Sequence, residues 1–308
     1  MQDVQSDFKI KFRGVRGSYP TPKFNFLKYG GNTACVEVRC GNRLIILDSG
    51  TGIIDIGTDE IQNSIISQEK VPNNTTIILT HVHQDHIQGL QFYKPLFVPS
   101  SKIELYGLPA GNEDLKDTLK TILFDKVFPV GLEEIRSNFK IHNFSQNDIL
   151  VLSQDGETKK YDSLQNDINL AEDDILISTY KTTAHPKNGC LCVKIEYNSK
   201  SLVYATDKES YVGADKRFIQ FAHNCDILIH DAQYTYQDYV SPIQPRQGFG
   251  HSTFEMAIET AYSAKAKKLF FFHYDPEYDD NKLRMLENEF SRRQNDIYFA
   301  KEGNEIIL

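Results

Sequence analysis

Residues 80–86 read Thr80-His81-Val82-His83-Gln84-Asp85-His86, three imidazoles and a carboxylate directly behind the apolar run Thr75-Thr76-Ile77-Ile78-Leu79. Neutral imidazole and ionised carboxylate both offer lone pairs to a borderline cation such as zinc without a perturbed pKa, so the chemistry on offer is metal binding. His81 and His83, two apart on extended chain, project to one side, while Asp85 and His86 fall where the chain turns into a helix. One loop can therefore serve two ions. A polar surface turn commonly carries one histidine and rarely three with an aspartate.

The same device recurs later in the chain. Apolar runs at 175–183, 201–206, 226–229 and 268–272 lead to His185, Asp207, His230-Asp231 and His273. Ligands in sheet-based α/β proteins gather at the carboxyl ends of strands, so five such endings, counting His81, weigh more than any one of them. Asp48 also closes an apolar strand, just before Ser49-Gly50-Thr51-Gly52.

The elements that must position these residues follow from periodicity and punctuation. Phe8-Lys9-Ile10-Lys11-Phe12 alternates as a strand does and breaks into a Gly/Pro-rich loop at 13–22, either a flap or a connection. Strands are predicted at 34–39 and 44–47, joined by the hairpin signal Gly41-Asn42, and at 102–107. Residues 87–93 read as a short helix and 112–140 as helical, with Leu115, Leu119, Leu123 and Phe124 on the apolar side. The polar stretch 145–173 is the expected seam between two halves of a single domain spanning 1–308.

Length and composition set the class. With 308 residues, 40% hydrophobic and 25% charged, the chain can bury a large core. No apolar run is long enough to cross a bilayer, and the opening residues 1–7 are acidic and polar, unlike a signal peptide. The five cysteines form an odd and sparse set, which argues for a reducing compartment, the cytoplasm. Cys190-x-Cys192 on a strand reads as packing. A formal net charge of −8 with short, scattered basic clusters disfavours long nucleic acid as a partner.

The His-x-His-x-Asp-His loop behind an apolar strand resembles the metallo-β-lactamase superfamily of binuclear metallohydrolases. That resemblance implies an αββα sandwich, an α/β fold in which two mixed β-sheets pack face to face between outer helices. It implies that one ion takes His81, His83 and His185, the other Asp85, His86 and His273, with Asp207 bridging; Asp85 is expected to act in catalysis as well. Zinc is the expected metal, with manganese or iron as alternatives, and Asp48 is expected to support the metal loop by hydrogen bonds. The resemblance also allows a homodimer.

Two divalent ions balanced by Asp85, Asp207 and a bridging hydroxide leave about one positive charge in an acidic protein, which favours an anionic substrate and makes that hydroxide the nucleophile. A leaving alkoxide needs a proton, and the expected donor is His251, just ahead of a helix predicted to be capped by Ser252 with Glu255. The Gly250-His251-Ser252-Thr253 element and Asp231 are similar to the phosphodiesterase branch, which includes ribonuclease Z, and the likeness runs from residue 12 to 276. It implies that His251 is the general acid and Asp231 its orienter. Ribonuclease Z carries a tRNA-gripping arm between its third metal histidine and the bridging aspartate; here His185 and Asp207 are separated by little more than a hairpin. The expected substrate is therefore a small phosphodiester such as a cyclic nucleotide. Alternatives are tRNA 3′ processing, a lactonase or thioesterase of the same superfamily, and a metal-stabilised nucleotide-binding module.

Overall fold

Strands form where β-branched and aromatic residues cluster between turn signals. The structure, a computed structural model, describes residues 8–67, 74–111, 113–163, 168, 170–211, 215–292 and 296–308. The polar opening at 1–7 lies outside them. β1 (Phe8–Gly14) alternates in burial along its length and pairs antiparallel with β2 (Cys35–Cys40), which turns at Gly41 (φ 55°) into β3 (Arg43–Leu47). From β3 the sheet continues parallel through β4 (Thr75–Leu79), β5 (Lys102–Gly107) and β6 (Asn138–Asn143). β3 and β4 are buried at every position, as central strands covered on both faces require.

The second sheet starts with the antiparallel pair β7 (Asp148–Leu152) and β8 (Thr158–Asp162). It continues through β9 (Ile175–Thr182), β10 (Cys190–Tyr197) and β11 (Lys200–Ala205), then runs parallel through β12 (Ile227–Asp231), β13 (Leu269–Phe272) and β14 (Ile297–Phe299). β15 (Glu305–Ile307) returns to pair with β1. Among the described residues the orders are β15-β1-β2-β3-β4-β5-β6 and β14-β13-β12-β11-β10-β9-β7-β8.

The sheets face one another across an apolar core in which the Phe12 ring lies 5.5 Å from Phe270 and 6.2 Å from Phe272. Each ring fully buried there contributes about 2 kcal/mol of transfer free energy. Outside the first sheet, the helix Ile53–Ser67 buries Ile53 and Ile56 in a cluster with Ile46, Ile77 and Leu105. Outside the second, Phe254 of the helix Phe254–Ala264 packs on Phe271 at 4.9 Å and on Phe290 of the helix Asp280–Ser291 at 5.4 Å. This is the expected αββα layering.

Several local expectations differ. The helix Ile53–Ser67 falls in a segment where sequence pattern assigns no element. The helix expected at 87–93 forms earlier, at Gln84–Ile87, because the Gly89 N–H leaves the helical ladder and donates to the Ser49 carbonyl at 3.0 Å; only a 3₁₀ turn, Leu90–Phe92, follows. Of 112–140, only Leu115–Leu119 is α-helical, widening into a π-type turn at Lys120–Phe124, and the far end is the edge strand β6. The polar seam holds the edge pair β7 and β8, with 164–167 and 169 outside the described residues. Its polarity reflects an exposed sheet edge. No helix among the described residues is long and apolar enough to cross a membrane. All five cysteines are buried and unpaired, Cys190 and Cys192 within β10.

Candidate metal centre

Four residues that are not glycine hold left-handed backbone around one spot: Ser18 (φ 63°), Asp48 (φ 60°), Asp207 (φ 50°) and His273 (φ 63°). Such conformations cost roughly 1–2 kcal/mol each and persist only where surrounding contacts overdetermine them. Asp48 and His273 directly follow β3 and β13, and Asp207 follows β11 behind Thr206, so the chain bends sharply as each strand ends and turns a side chain toward the same spot. His81 follows β4 in the same way, behind Thr80.

The bends bring together seven side chains in two groups. In the first, His81, His83, His185 and Asp207 place ligand atoms within 4.8 Å of one another; in the second, Asp85, His86, Asp207 and His273 do the same. Asp207 belongs to both and divides its oxygens between them. Its Oδ2 lies 3.6 Å from His81 Nε2 and from His185 Nε2, while its Oδ1 lies 3.1 Å from His86 Nε2 and 3.2 Å from His273 Nε2. Asp85 Oδ2 is 3.3 Å from His86 Nε2 and 3.2 Å from His273 Nε2. These are the two groups and the shared aspartate expected from the sequence. His230 is not brought in: it lies on the other face of β12, where its Nδ1 meets the Asp231 carbonyl at 2.7 Å and its ring faces Phe218.

Outer partners fix the rings. His86 Nδ1 donates to Asp48 Oδ2 at 2.8 Å, His185 Nδ1 to the Gly250 carbonyl at 3.3 Å, and His273 Nδ1 to Gln233 Oε1 at 3.1 Å. With Nδ1 carrying the proton, each Nε2 presents a lone pair inward. Asp48 is itself held by the Thr80 N–H and hydroxyl and by the Tyr204 hydroxyl, the hydrogen-bonding support expected of it. The loop at 13–22 also belongs to the centre. Ser18 N–H donates to Asp85 Oδ2 at 2.7 Å, and the buried Arg16 anchors the loop on the carbonyls of Gly30 and Tyr278. Ser18, Gln233 and Tyr204 are missed by sequence reasoning; the Gly/Pro-rich loop was the one available signal for the first.

The donors suit a cation. His81 Nε2 is buried without a hydrogen-bond partner, and the inward nitrogens of His86 and His273 approach to 3.2 Å, as do those of His83 and His185 to 3.0 Å. Converging lone pairs repel unless a positive charge sits between them. Burial pushes His81 well below the usual histidine pKa and His185 down to about 4, keeping both neutral. Burial alone would raise Asp207, but His273 and His86 beside it hold it well below the usual carboxylate range. Imidazole and carboxylate donors of this kind fit zinc, and fit manganese or iron nearly as well.

Beside the second group, His251 Nδ1 meets Asp231 Oδ2 at 2.7 Å, and its ring stacks on His273 at 5.1 Å. The other Asp231 oxygen accepts from the N–H groups of Gln233 and Ser252. Burial opposes a charged His251, yet the Asp231 carboxylate and its hydrogen bond raise the imidazole to about 9. The helix behind it differs from expectation. Its cap is Thr253, whose hydroxyl accepts from Met256 N–H; the Ser252 hydroxyl instead donates to the Lys208 carbonyl. The Ser252 N–H, one residue ahead of that cap, is taken by Asp231. A cavity of about 440 Å³ opens at His251.

This fold and this paired His/Asp centre are those of a metallohydrolase class, and the match extends to sequence. The chain matches the family described as "Beta-lactamase superfamily domain" over residues 43–274 and belongs to that family. It is 28% identical over 324 residues to a protein of Picrophilus torridus named ribonuclease Z, covering 97% of this chain and 95% of that one. Among solved structures it is similar to the metallo-β-lactamase fold protein YhfI of Bacillus subtilis, with a TM-score of 0.65 and 19% identity over 98% of this chain and all of that one. It is likewise similar to yeast PDE1, with a TM-score of 0.62 and 14% identity over 99% of this chain and all of that one.

Proposed function

We propose that the protein is a metal-dependent phosphodiesterase acting on small anionic diesters, cyclic nucleotides among them. The observation that carries this is a histidine held by a buried carboxylate, His251 on Asp231, beside two ligand groups joined through Asp207. His81, His83 and His185 would hold one ion and Asp85, His86 and His273 the other, with Asp207 within reach of both. Two divalent ions there supply a nucleophile active at neutral pH and neutralise phosphoryl charge.

In the hydrolysis, a water oxygen forms the new bond to phosphorus as the bond to the leaving oxygen breaks, and that oxygen keeps the electron pair. His251 Nε2 donates a proton to it, the attacking water gives one to solvent, and solvent reprotonates the ring. Asp231 holds the His251 tautomer and keeps the ring charged until transfer, while Ser18 and Gln233 steady Asp85 and His273. The buried free cysteines support a reducing compartment such as the cytoplasm.

A second reading is tRNA 3′ processing, which is favoured by a relative named ribonuclease Z that aligns over nearly the whole of both chains. Against it stand the net charge of −8 and the tight turn at Asn198-Ser199 between β10 and β11, where a tRNA-gripping arm is expected. The test compares kcat/KM on a bis-aryl phosphodiester, a cyclic nucleotide, a homoserine lactone, a glutathione thioester and a tRNA precursor. The diesters are expected to lead. A leading lactone or thioester ends the phosphodiesterase reading, and a leading tRNA replaces the small substrate with the large one.

A further inference from the structure

The cavity beside His251 has a composition that proton donation does not explain. Two large aromatic side chains stand at its lips with about half their surface in solvent, Tyr19 at 52% and Phe249 at 47%. Neither belongs to the apolar core. One wall is a stack: the Arg246 guanidinium lies 5.1 Å over the Tyr234 ring, and Tyr234 meets the His251 ring edge-on at 5.9 Å.

Both lips are held in place by the site itself. Tyr19 follows Ser18, whose N–H is bonded to Asp85. Phe249 lies between Gly248 and Gly250, whose N–H groups donate to the buried Glu209 at 2.8 and 3.0 Å. The aromatic faces are thus presented on fixed backbone, which lowers the ordering cost of binding a planar group.

We propose that this cavity is a nucleoside subsite, in which Tyr19 and Phe249 stack the base of the nucleoside whose oxygen leaves the phosphorus. The assignment rests on the phosphodiesterase reading, because His251 marks the leaving-group side. Three features point to a nucleoside. The cavity volume of about 440 Å³ lies at the low end of the roughly 300–1,000 Å³ of small-molecule sites, room for one nucleoside and not for a duplex. Aromatic platforms take any base, since every base has a π-face. Asp275 and Glu277 line the cavity along with Arg246 and His251, so the lining has no excess of positive charge to hold a second phosphate, and the two acids offer acceptors to the amino groups of a base. The nucleoside can be that of a free small diester or the last one of an RNA strand.

Calorimetry of adenosine and of ribose with the metal-loaded protein tests the subsite without turnover. Adenosine is expected to bind at least about tenfold tighter than ribose, and Phe249→Ala and Tyr19→Ala each to weaken adenosine about tenfold while Phe249→Tyr and Tyr19→Phe retain it. In parallel, kcat/KM is measured on a dinucleotide and on its counterpart with the leaving base removed, each free and within an RNA strand. A preference for the base in either form that collapses in the alanine variants supports the subsite. Adenosine binding no tighter than ribose overturns it, whatever the activity; tight adenosine binding without diester hydrolysis overturns the phosphodiesterase reading and leaves the subsite standing.

Discussion

The ligand cluster and the cavity beside it are neighbours built on opposite terms. In the cluster every ring but that of the partly exposed His83 is buried, the backbone is strained at Asp48, Asp207 and His273, and outer hydrogen bonds come from Asp48, Gln233, Thr80 and Gly250. In the cavity the side chains at the lips are half in solvent and sit on loops, and only their backbone is fixed. Metal chemistry needs donors placed to a fraction of an ångström, so it is held by many redundant contacts; substrate choice needs only shape and faces, and loops can supply those. Substitutions in the two regions should therefore fail differently, the cluster in metal content and the cavity in selectivity.

The largest effect is expected from Asp207→Ala, which removes the one residue common to both ligand groups. Loss of an outer partner typically costs roughly 10–100-fold, and loss of a shared ligand should exceed that. Elemental analysis should find close to two transition ions per chain in the parent and a clear deficit in the variant, with activity abolished. Full activity in Asp207→Ala, in a chain binding at most one ion, would sink the paired centre.

Next comes His251→Ala, at the border of the two regions. A positioned proton donor is worth roughly a hundredfold or more, so turnover of a nucleotide diester should fall by that much while metal content stays level. An activated aryl ester, whose phenolate leaves without help, should lose less. The pH profile gives a second reading of the same group. With its pKa raised to about 9, His251 stays protonated below that pH and loses the proton above it, so kcat on the nucleotide diester should decline above about pH 9. That limb should vanish in the variant; equal losses on both esters would remove the acid role.

The smallest effect is expected from Gly17→Ala, which probes the seam between cluster and flap. A Cβ at this position would lie 2.5 Å from His273 Cε1 and 2.6 Å from Nδ1, closer than packing allows. The overpacking should cost about 1–3 kcal/mol, read as a lower denaturation midpoint, with a partial loss of activity as the ring shifts. A variant with parent midpoint and activity would show that the 13–22 loop can retreat without cost to the centre.

Much of this molecule is written locally in its residues. Strand edges such as β4 and β5 coincide with the apolar runs that announce them, and the ligand-type residues stand at strand ends because that is where a sheet lets chain leave its ladder. The helix Ile53–Ser67 and the strand β6 escaped notice because short apolar runs flanked by polar residues fit either period until a sheet decides their partners.

What only the folded chain decides is which candidates meet and what holds them. His230 and Asp231 are adjacent at the end of β12, yet side chains alternate across a strand, so Asp231 faces His251 and the centre while His230 faces Phe218 and the helix layer. The type and spacing of His81, His83, Asp85 and His86 are local properties, legible before folding. The support of Asp85 by Ser18, of His273 by Gln233 and of Asp48 by Tyr204 joins residues far apart in sequence, and no local pattern encodes a contact that exists only once two sheets have packed.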